Sequence, residues 1–444
     1  MDYTKNNNAF FSRLSFIILA AVIFRLSIAI LFAPPLLQDE KDYFAIAQSL
    51  YHDNSFSIDG ATTAYRAPFY PAFLAVIFTT FGESVIPVRI IQAFADTLTC
   101  IFLFFLCKRF FSETTAYLAI VLYSFFPGNA LYVSLLMSEV LFTTFFLFAI
   151  LLYSKENVEH TPLTKILLGV IFAILTLLRQ NAAILIVIFL IWDIIRSSSF
   201  KITFKNNALV LISFIILLTP WLIRNKIQFD HFSMTSNGGI NFWIGHNQFS
   251  NGSFKYSNQD NPLENVAGEF DRSALGYEEG INFLIQHPKE EVKLLFLKFA
   301  HFFEPDFSLM QSLQYKPEWK SYQKSILVYR EFSPVILFGL HLLTVMVVIT
   351  GLWSLIFAND SKYQYLLLLR LIIVFWLCSH LIFFGVARFR LPIMPLFIAM
   401  AAHSVQVWKT KSFSVTKPKK YMFLVLSLLL FASWAATFAI LYFQ

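Results

Sequence analysis

Apolar residues in this chain fall into long unbroken runs, separated by short polar stretches. A membrane-crossing helix needs roughly 20 mostly apolar residues. Runs near 14–34, 85–107, 115–131, 133–153, 163–178, 183–195, 207–223, 332–357, 364–386, 391–407 and 421–442 meet or approach that length and predict about eleven crossing helices. The runs at 163–178 and 183–195 are short and separated only by a brief break after Leu178 that holds Arg179, Gln180 and Asn181, which predicts a tight helical hairpin. The segment 67–81 is apolar but short, opens with prolines and ends at a glycine, and reads as a helix lying at the interface. The first run is longer than a signal-peptide core and lacks a small-x-small site before Pro34 and Pro35, so it reads as an uncleaved anchor.

Charge placement orients this frame. With the N-terminus inside and 67–81 not crossing, the inner loops hold Lys108 and Arg109, Lys155 and Lys165, Arg196, Lys201 and Lys205, and Lys362. The last inner loop adds Lys409, Lys411, Lys417, Lys419 and Lys420, with no acid among them. This follows the positive-inside rule, and letting 67–81 cross would turn that loop outward. Two outer segments, 35–84 and 225–330, are then long enough to carry function. The expected organisation is a module over 1–224 with a catalytic first outer loop, an outer loop region over 225–330 and terminal helices over 331–444.

Composition agrees. Hydrophobic residues make up 57% of the 444 and charged ones 14%, which excludes a soluble enzyme, a secreted disulfide scaffold and a disordered chain. The net charge of +7 belongs to inner loops rather than to a nucleic-acid surface. Cys100, Cys107 and Cys378 lie in or at the ends of apolar runs and read as small hydrophobes.

Ionisable residues near the membrane are costly and are functional candidates by default. Asp39, Glu40 and Asp42 open the first outer loop, and Arg66 and Arg89 close it. Glu139 lies at the outer end of the fourth run, Arg179 in the outer hairpin turn, Arg224 at the end of the seventh, and Arg388 and Arg390 between the ninth and tenth. The topology puts all of them on one face. Outer arginines run against the positive-inside rule and need a reason. Guanidinium groups bind phosphate in bidentate fashion and stay charged. A phosphate at the membrane surface with an apolar tail in lipid is a polyprenyl phosphate. A nearby carboxylate can then take a proton from an acceptor hydroxyl while arginines hold the departing phosphate. Arg25, inside the first run, has no sharp role beyond pairing with a neighbouring helix.

The second outer segment offers weaker signals. Asn237-Gly238-Gly239 fits a tight turn with positive φ, either an ordinary turn or a backbone lip over a donor. Trp243 reads as an interfacial anchor, with stacking on a sugar as the alternative. His246, His301 and Glu304 are candidate metal ligands, with no second close pair. Apolar residues at helical intervals from Tyr277 to Phe299 predict a helix along the membrane surface.

Several stretches taken in order resemble the bacterial family 39-type glycosyltransferases. They are Gln38-Asp39-Glu40-Lys41-Asp42-Tyr43 with Ala47 and Leu50; Arg66-Ala67-Pro68-Phe69-Tyr70-Pro71; Leu136-Met137-Ser138-Glu139; Thr219-Pro220-Trp221-Leu222-Ile223-Arg224-Asn225; Thr235 to Asn247; and Arg388-Phe389-Arg390-Leu391-Pro392. The resemblance implies the all-α, polytopic GT-C fold of the protein mannosyltransferase and lipid A aminoarabinose transferase superfamily. It implies an inverting glycosyltransferase that takes a sugar from a polyprenyl-phosphate donor and transfers it to a glycan, lipid or protein outside the cytoplasm. By the same resemblance Asp39 is the catalytic carboxylate and Glu40 its partner in sugar or metal contact. Arg66, Arg224, Arg388 and Arg390 fall at positions for phosphate contacts, and Glu139 at the acidic position of the fourth run. A divalent metal ion is left open as a cofactor, and the expected site is the bacterial inner membrane. The departures are a shorter chain, no large soluble domain at its end, and a loop over 225–330 with no counterpart. The rivals are a transporter of an anionic solute and a non-catalytic lipid-binding membrane protein.

Overall fold

The computed structural model describes residues 2–32, 34, 36–154, 161–197, 199–255, 260–304, 334–359 and 365–443. Lys155, Lys362 and the loop residues 256–259 and 305–330 lie outside them. Among the described residues, helix forms over most of each of the eleven predicted runs. In chain order the helices are α1 (Asp2–Leu31), α2 (Asp39–Asp53), α3 (Phe69–Phe81), α4 (Val85–Phe110), α5 (Glu113–Ser124), α6 (Pro127–Ala130), α7 (Glu139–Tyr153), α8 (Pro162–Leu178) and α9 (Ile184–Ser197). They continue with α10 (Phe200–Phe229), α11 (Gly238–Gly245), α12 (Glu269–Gln286), α13 (Pro288–Phe303), α14 (Pro334–Phe357), α15 (Leu366–Leu381), α16 (Met394–Lys409) and α17 (Lys417–Phe443). Short 3-10 turns at Leu131–Ser134, Gln180–Ala183 and Ala387–Ile393 join some of them.

Among the described residues, five helices are long and apolar enough to cross a membrane, or six if one bent pair counts as a single span. Glu139–Tyr153, Pro162–Leu178 and Leu366–Leu381 are apolar but shorter. At 1.5 Å per residue, 15 residues reach only about 23 Å, short of a hydrocarbon core of roughly 30 Å. α7 is short because it starts only after a bent pair. The predicted run 115–131 breaks after Ser124 and turns by 55° into Pro127–Ser134. Pro127 cannot donate to the preceding turn and its ring excludes a continuous helix.

Irregular backbone at membrane depth survives only when buried and paired within protein. The stretch from Asn129 to Glu139 is almost wholly buried. Gln92 Nε2 donates to the carbonyls of Val133 (3.2 Å) and Leu135 (2.7 Å), and the Leu136 amide donates to Glu40 Oε1 at 2.7 Å. Gln92 itself is oriented by the Tyr70 hydroxyl, 2.8 Å away. The break is therefore a built feature, and it delivers Glu139 at the start of α7.

The first outer segment folds as α2, a two-residue hairpin and α3. The hairpin pairs Ser57 with Thr62 and Ile58 with Ala61. Asp59 and Gly60 both have positive φ, the conformation that matches the twist of paired strands. α3 covers the predicted interfacial segment. It buries Tyr70, Leu74, Ile77 and Phe78 against the protein, largely on α2, and leaves Val76 and Phe81 exposed.

The second outer segment contributes α11, α12 and α13, with Pro288 dividing the surface helix predicted over 277–303. Its apolar positions Ile281, Ile285, Val292, Leu295 and Phe296 stay exposed. Two local expectations change. Gly238 and Gly239 begin α11 and are not among the positive-φ residues. Their use is close approach, because a Cβ on Gly239 would stand 1.7 Å from the Ser273 carbonyl of α12. Trp243 is 3% exposed and packs with Ile240, Ile244, Leu263 and Phe384, so it is a core residue rather than an interfacial anchor or an open stacking surface.

Candidate functional site

Helix α2 starts at Asp39, and its first turn holds Asp39, Glu40 and Asp42. Acidic side chains there are favoured by the free amides and dipole of a helix N-terminus. Successive residues on a helix point about 100° apart, so Asp39 and Glu40 cannot share a target. Asp39 faces the cluster and Glu40 faces the protein interior.

Asp39 Oδ1 accepts from Arg66 at 2.6 Å, and Asp39 Oδ2 lies 2.8 Å from Arg388 Nη1. Arg66 also donates to Asp42 Oδ2 through Nε (3.0 Å) and Nη2 (2.6 Å). Arg388 Nε is 3.4 Å from Glu139 Oε1, and Arg179 donates to the same oxygen at 3.0 Å. The result is an alternating chain of six charges: Asp42, Arg66, Asp39, Arg388, Glu139 and Arg179. It has three of each sign and joins α2, the segment before α3, the start of α7, the end of α8 and the turn at Ala387–Ile393. Aromatic faces hold the cations in place. Tyr43 and Tyr65 flank Arg66, and Phe389 packs against both Arg179 and Arg388. One nitrogen of Arg179, Nη1, is buried without a hydrogen-bond partner among the described residues.

Burial would raise Asp39, but the guanidinium groups of Arg388 and Arg66 outweigh it and hold the carboxyl well below the usual carboxylate range. Its stabilising effect is thus present above the unfolded carboxyl value and is lost only in strong acid.

Glu40 behaves oppositely. It is 2% exposed, and its carboxylate accepts from the Leu136 amide and, at 3.1 Å, from the Leu37 amide. Burial pushes it up to about 7, although those two amides and Arg89 pull it down. A carboxyl raised on folding binds its proton more tightly in the native state, so stability is highest below the unfolded value and falls as pH rises through about 7. We expect the thermal midpoint of the wild type to fall between about pH 5 and pH 8, by up to on the order of 3 kcal/mol in stability. Glu40→Gln should flatten that slope while losing stability at the acid end, because one amide oxygen replaces two acceptors. A pH scan of unfolding in detergent reads both effects.

The remaining predicted site residues hold backbone. Arg224 donates to the carbonyls of Thr63 (2.8 Å) and Phe56 (3.2 Å) and packs 4.9 Å from the Trp221 ring. Arg390 donates to the carbonyls of Phe302 (2.9 Å) and Glu304, and Arg89 to that of Pro34 (2.9 Å). So the structure gathers Asp39, Arg66, Glu139 and Arg388 with Asp42 and Arg179, and sets Glu40, Arg89, Arg224 and Arg390 around them as braces. Glu269 at the start of α12 is a further brace that the sequence did not single out. It accepts from the Ala64 amide (2.7 Å), Ser236 Oγ (2.9 Å) and Thr63 Oγ1 (3.0 Å), fixing the segment that carries Arg66.

His246 and His301 form separate pairs, with Glu291 at 2.8 Å and Glu304 at 2.7 Å. Among the described residues, no group of three or more His, Cys, Asp or Glu side chains is arranged to hold a metal ion. Both oxygens of Asp39 are engaged by arginine, a poor fit to a metal ligand.

The fold is that of the GT-C membrane proteins, as the motifs had suggested. Within it, residues 65–223 match the family of dolichyl-phosphate-mannose-protein mannosyltransferases. That stretch includes Arg66, Glu139 and Arg179, and leaves out Asp39 and Arg388. Among solved structures, the chain is similar to the apo oligosaccharyltransferase of Archaeoglobus fulgidus. The identity is 12% over 97% of this chain and 55% of that one, with TM-score 0.50. It is also similar to the same enzyme tethered to an acceptor peptide containing the NVT sequon, at 12% identity over 95% and 54%, TM-score 0.49. A third is ArnT from Cupriavidus metallidurans bound to undecaprenyl phosphate, at 13% over 88% and 77%, TM-score 0.44. The chain spans about half the length of the oligosaccharyltransferase it matches. No curated protein matches it.

Proposed function

We propose that the chain is a glycosyltransferase of the bacterial inner membrane that moves a sugar from a polyprenyl-phosphate donor to an acceptor on the extracytoplasmic face. The observation that carries this reading is Asp39 held between Arg66 and Arg388. The likeness of residues 65–223 to a mannosyltransferase family supports it.

The chemistry follows from competition for the two guanidinium groups. Without ligand, the six charges of the cluster cancel. A donor phosphate entering the site competes with Asp39 for Arg66 and Arg388. As those cations turn to the phosphate, the carboxylate loses the partners that held its proton affinity down. It then takes the proton of the acceptor hydroxyl while that oxygen attacks the anomeric carbon. The bond from that carbon to the phosphate oxygen breaks, and polyprenyl phosphate leaves with the electron pair and one more negative charge. Arg66 and Arg388 stabilise that charge where it develops. A single displacement inverts the anomeric centre.

This competition predicts effects of opposite sign in a binding experiment with radiolabelled polyprenyl phosphate and purified protein. Arg388→Gln should weaken binding by about tenfold to a hundredfold, the worth of a charge-assisted hydrogen bond. Asp39→Asn should bind as tightly as wild type or more so, because the competitor is gone. Unchanged affinity in both variants would remove the phosphate from this site.

A further inference from the structure

Three helices of the site also build a cleft at their opposite ends. α4 and α7 begin beside Arg89 and Glu139, and α8 ends beside Arg179. Followed away from the site, they line an open cleft of about 570 Å³. Its walls include Phe105, Phe148, Leu151 and Leu167, and Lys108 and Arg109 are its charged lining residues. From Arg89 to Lys108 is 19 residues of α4, about 28 Å at the helical rise, roughly one hydrocarbon core. The cleft therefore lies at the membrane face opposite the charge cluster.

We propose that this cleft binds an anionic phospholipid, with one acyl chain between the helices and the phosphate on Lys108 and Arg109. The volume falls within the range of ligand pockets, roughly 300–1,000 Å³. One wall is braced from behind: Phe148 stacks on Phe102 at 5.0 Å. Phe105 and Leu167 are partly exposed at 44% and 38%, apolar surface that a chain would cover.

The charge complement selects the headgroup. Arg109 Nη1 is held by two neutral oxygens, the Leu151 carbonyl at 2.7 Å and Ser154 Oγ at 3.0 Å. Those bonds hold the guanidinium at the cleft, and among the described residues no carboxylate pairs with it. Lys108 pairs with Glu113 at 3.2 Å, but both side chains are about half exposed. Such a pair contributes little and yields readily to a phosphate. An apolar slot with a cationic end suits a lipid with net negative charge over a zwitterionic one. Free phosphate leaves the apolar walls uncovered. The inference rests on the membrane reading of the helices and is independent of the transferase reading.

The test is native mass spectrometry of the full chain in detergent with phosphatidylglycerol or phosphatidylethanolamine. Wild type should retain phosphatidylglycerol preferentially. Lys108→Gln should cut that retention about fivefold, the worth of one basic residue at an anionic surface, with phosphatidylethanolamine unaffected. Leu167→Trp, which fills the cleft without touching a charge, should lower retention of both. Added phosphatidylglycerol should raise the unfolding temperature of wild type more than that of either variant, which confirms that both are folded. Equal retention of the two lipids would overturn the proposal. So would retention indifferent to both substitutions, or displacement of the lipid by inorganic phosphate.

Discussion

Asp39→Asn should lower turnover by about three orders of magnitude while leaving the protein folded and able to bind polyprenyl phosphate. Loss of a positioned general base costs about 10²–10⁴ in rate. The amide keeps the shape and one acceptor oxygen for Arg66 or Arg388, so the cluster is weakened rather than dismantled. The substitution removes a negative charge from a balanced set, and the surplus positive charge favours an anionic ligand. The expected signature is therefore a large fall in kcat with KM for the donor unchanged or lower, which marks a group acting in the transition state. A merely structural role for Asp39 predicts a different pattern, with a lower unfolding temperature, weaker binding and turnover that fall together. Glu40→Gln is the control. Its side chain braces Leu37 and Leu136, so its effect should appear in stability and its pH dependence, with turnover falling far less than in Asp39→Asn.

The largest stability effect should come from Arg25→Met. Arg25 is fully buried, with Nε 2.6 Å from Asp96 Oδ2. Its Nη1 donates to the Ser124 carbonyl at 2.9 Å. The other Asp96 oxygen accepts from the Tyr123 hydroxyl at 2.6 Å. The carbonyl of Ser124 is left over because α5 stops before Pro127, so Arg25 completes the end of α5 as well as pairing with Asp96. Removing one member of a buried pair costs about 3–5 kcal/mol, because the other charge is stranded. Arg25→Met should lower stability by that amount in thermal unfolding. Combining it with Asp96→Leu should recover a substantial part, since no buried charge is then left unpaired. Losses that simply add would show that the pair is not coupled. The break also bears on the site: Asn129, just past Pro127, donates to the Leu391 carbonyl at 3.4 Å, in the turn that carries Arg388. Turnover per folded molecule should therefore fall as well in Arg25→Met.

Much of this architecture was readable before any coordinates. Bilayer thickness imposes a length on apolar runs, and most of each predicted run is helical among the described residues. The bend at Pro127 is hidden in the sequence, because neither Pro127 nor Gly128 interrupts the apolarity around it. The acidic start of α2 and the arginines of Arg66 and Arg388 were visible as charges out of place. What the sequence could not separate was the partner of each arginine. A guanidinium that meets a carboxylate and one that meets a carbonyl look alike in one dimension. Arg224 and Arg390 turned to the carbonyls of Phe56, Thr63, Phe302 and Glu304, all contributed by distant segments. Asp39 and Glu40 were separable in principle, since neighbours on a helix face different ways. Arg179 had a signal in the polar break Arg179-Gln180-Asn181 inside an apolar stretch. Gly239 reads as a turn residue in the sequence, but its value lies in the approach of Ser273, a contact that exists only after α11 and α12 meet.

The central claim is that this outer cluster transfers sugar from a polyprenyl phosphate. The direct measurement is sugar release from a panel of radiolabelled polyprenyl-phosphate hexoses and pentoses by purified protein, wild type beside Asp39→Asn. The account predicts that wild type turns over one donor class and that Asp39→Asn, although it still binds the lipid phosphate, does not. Equal turnover by both proteins, or no binding of any polyprenyl phosphate by either, would contradict it.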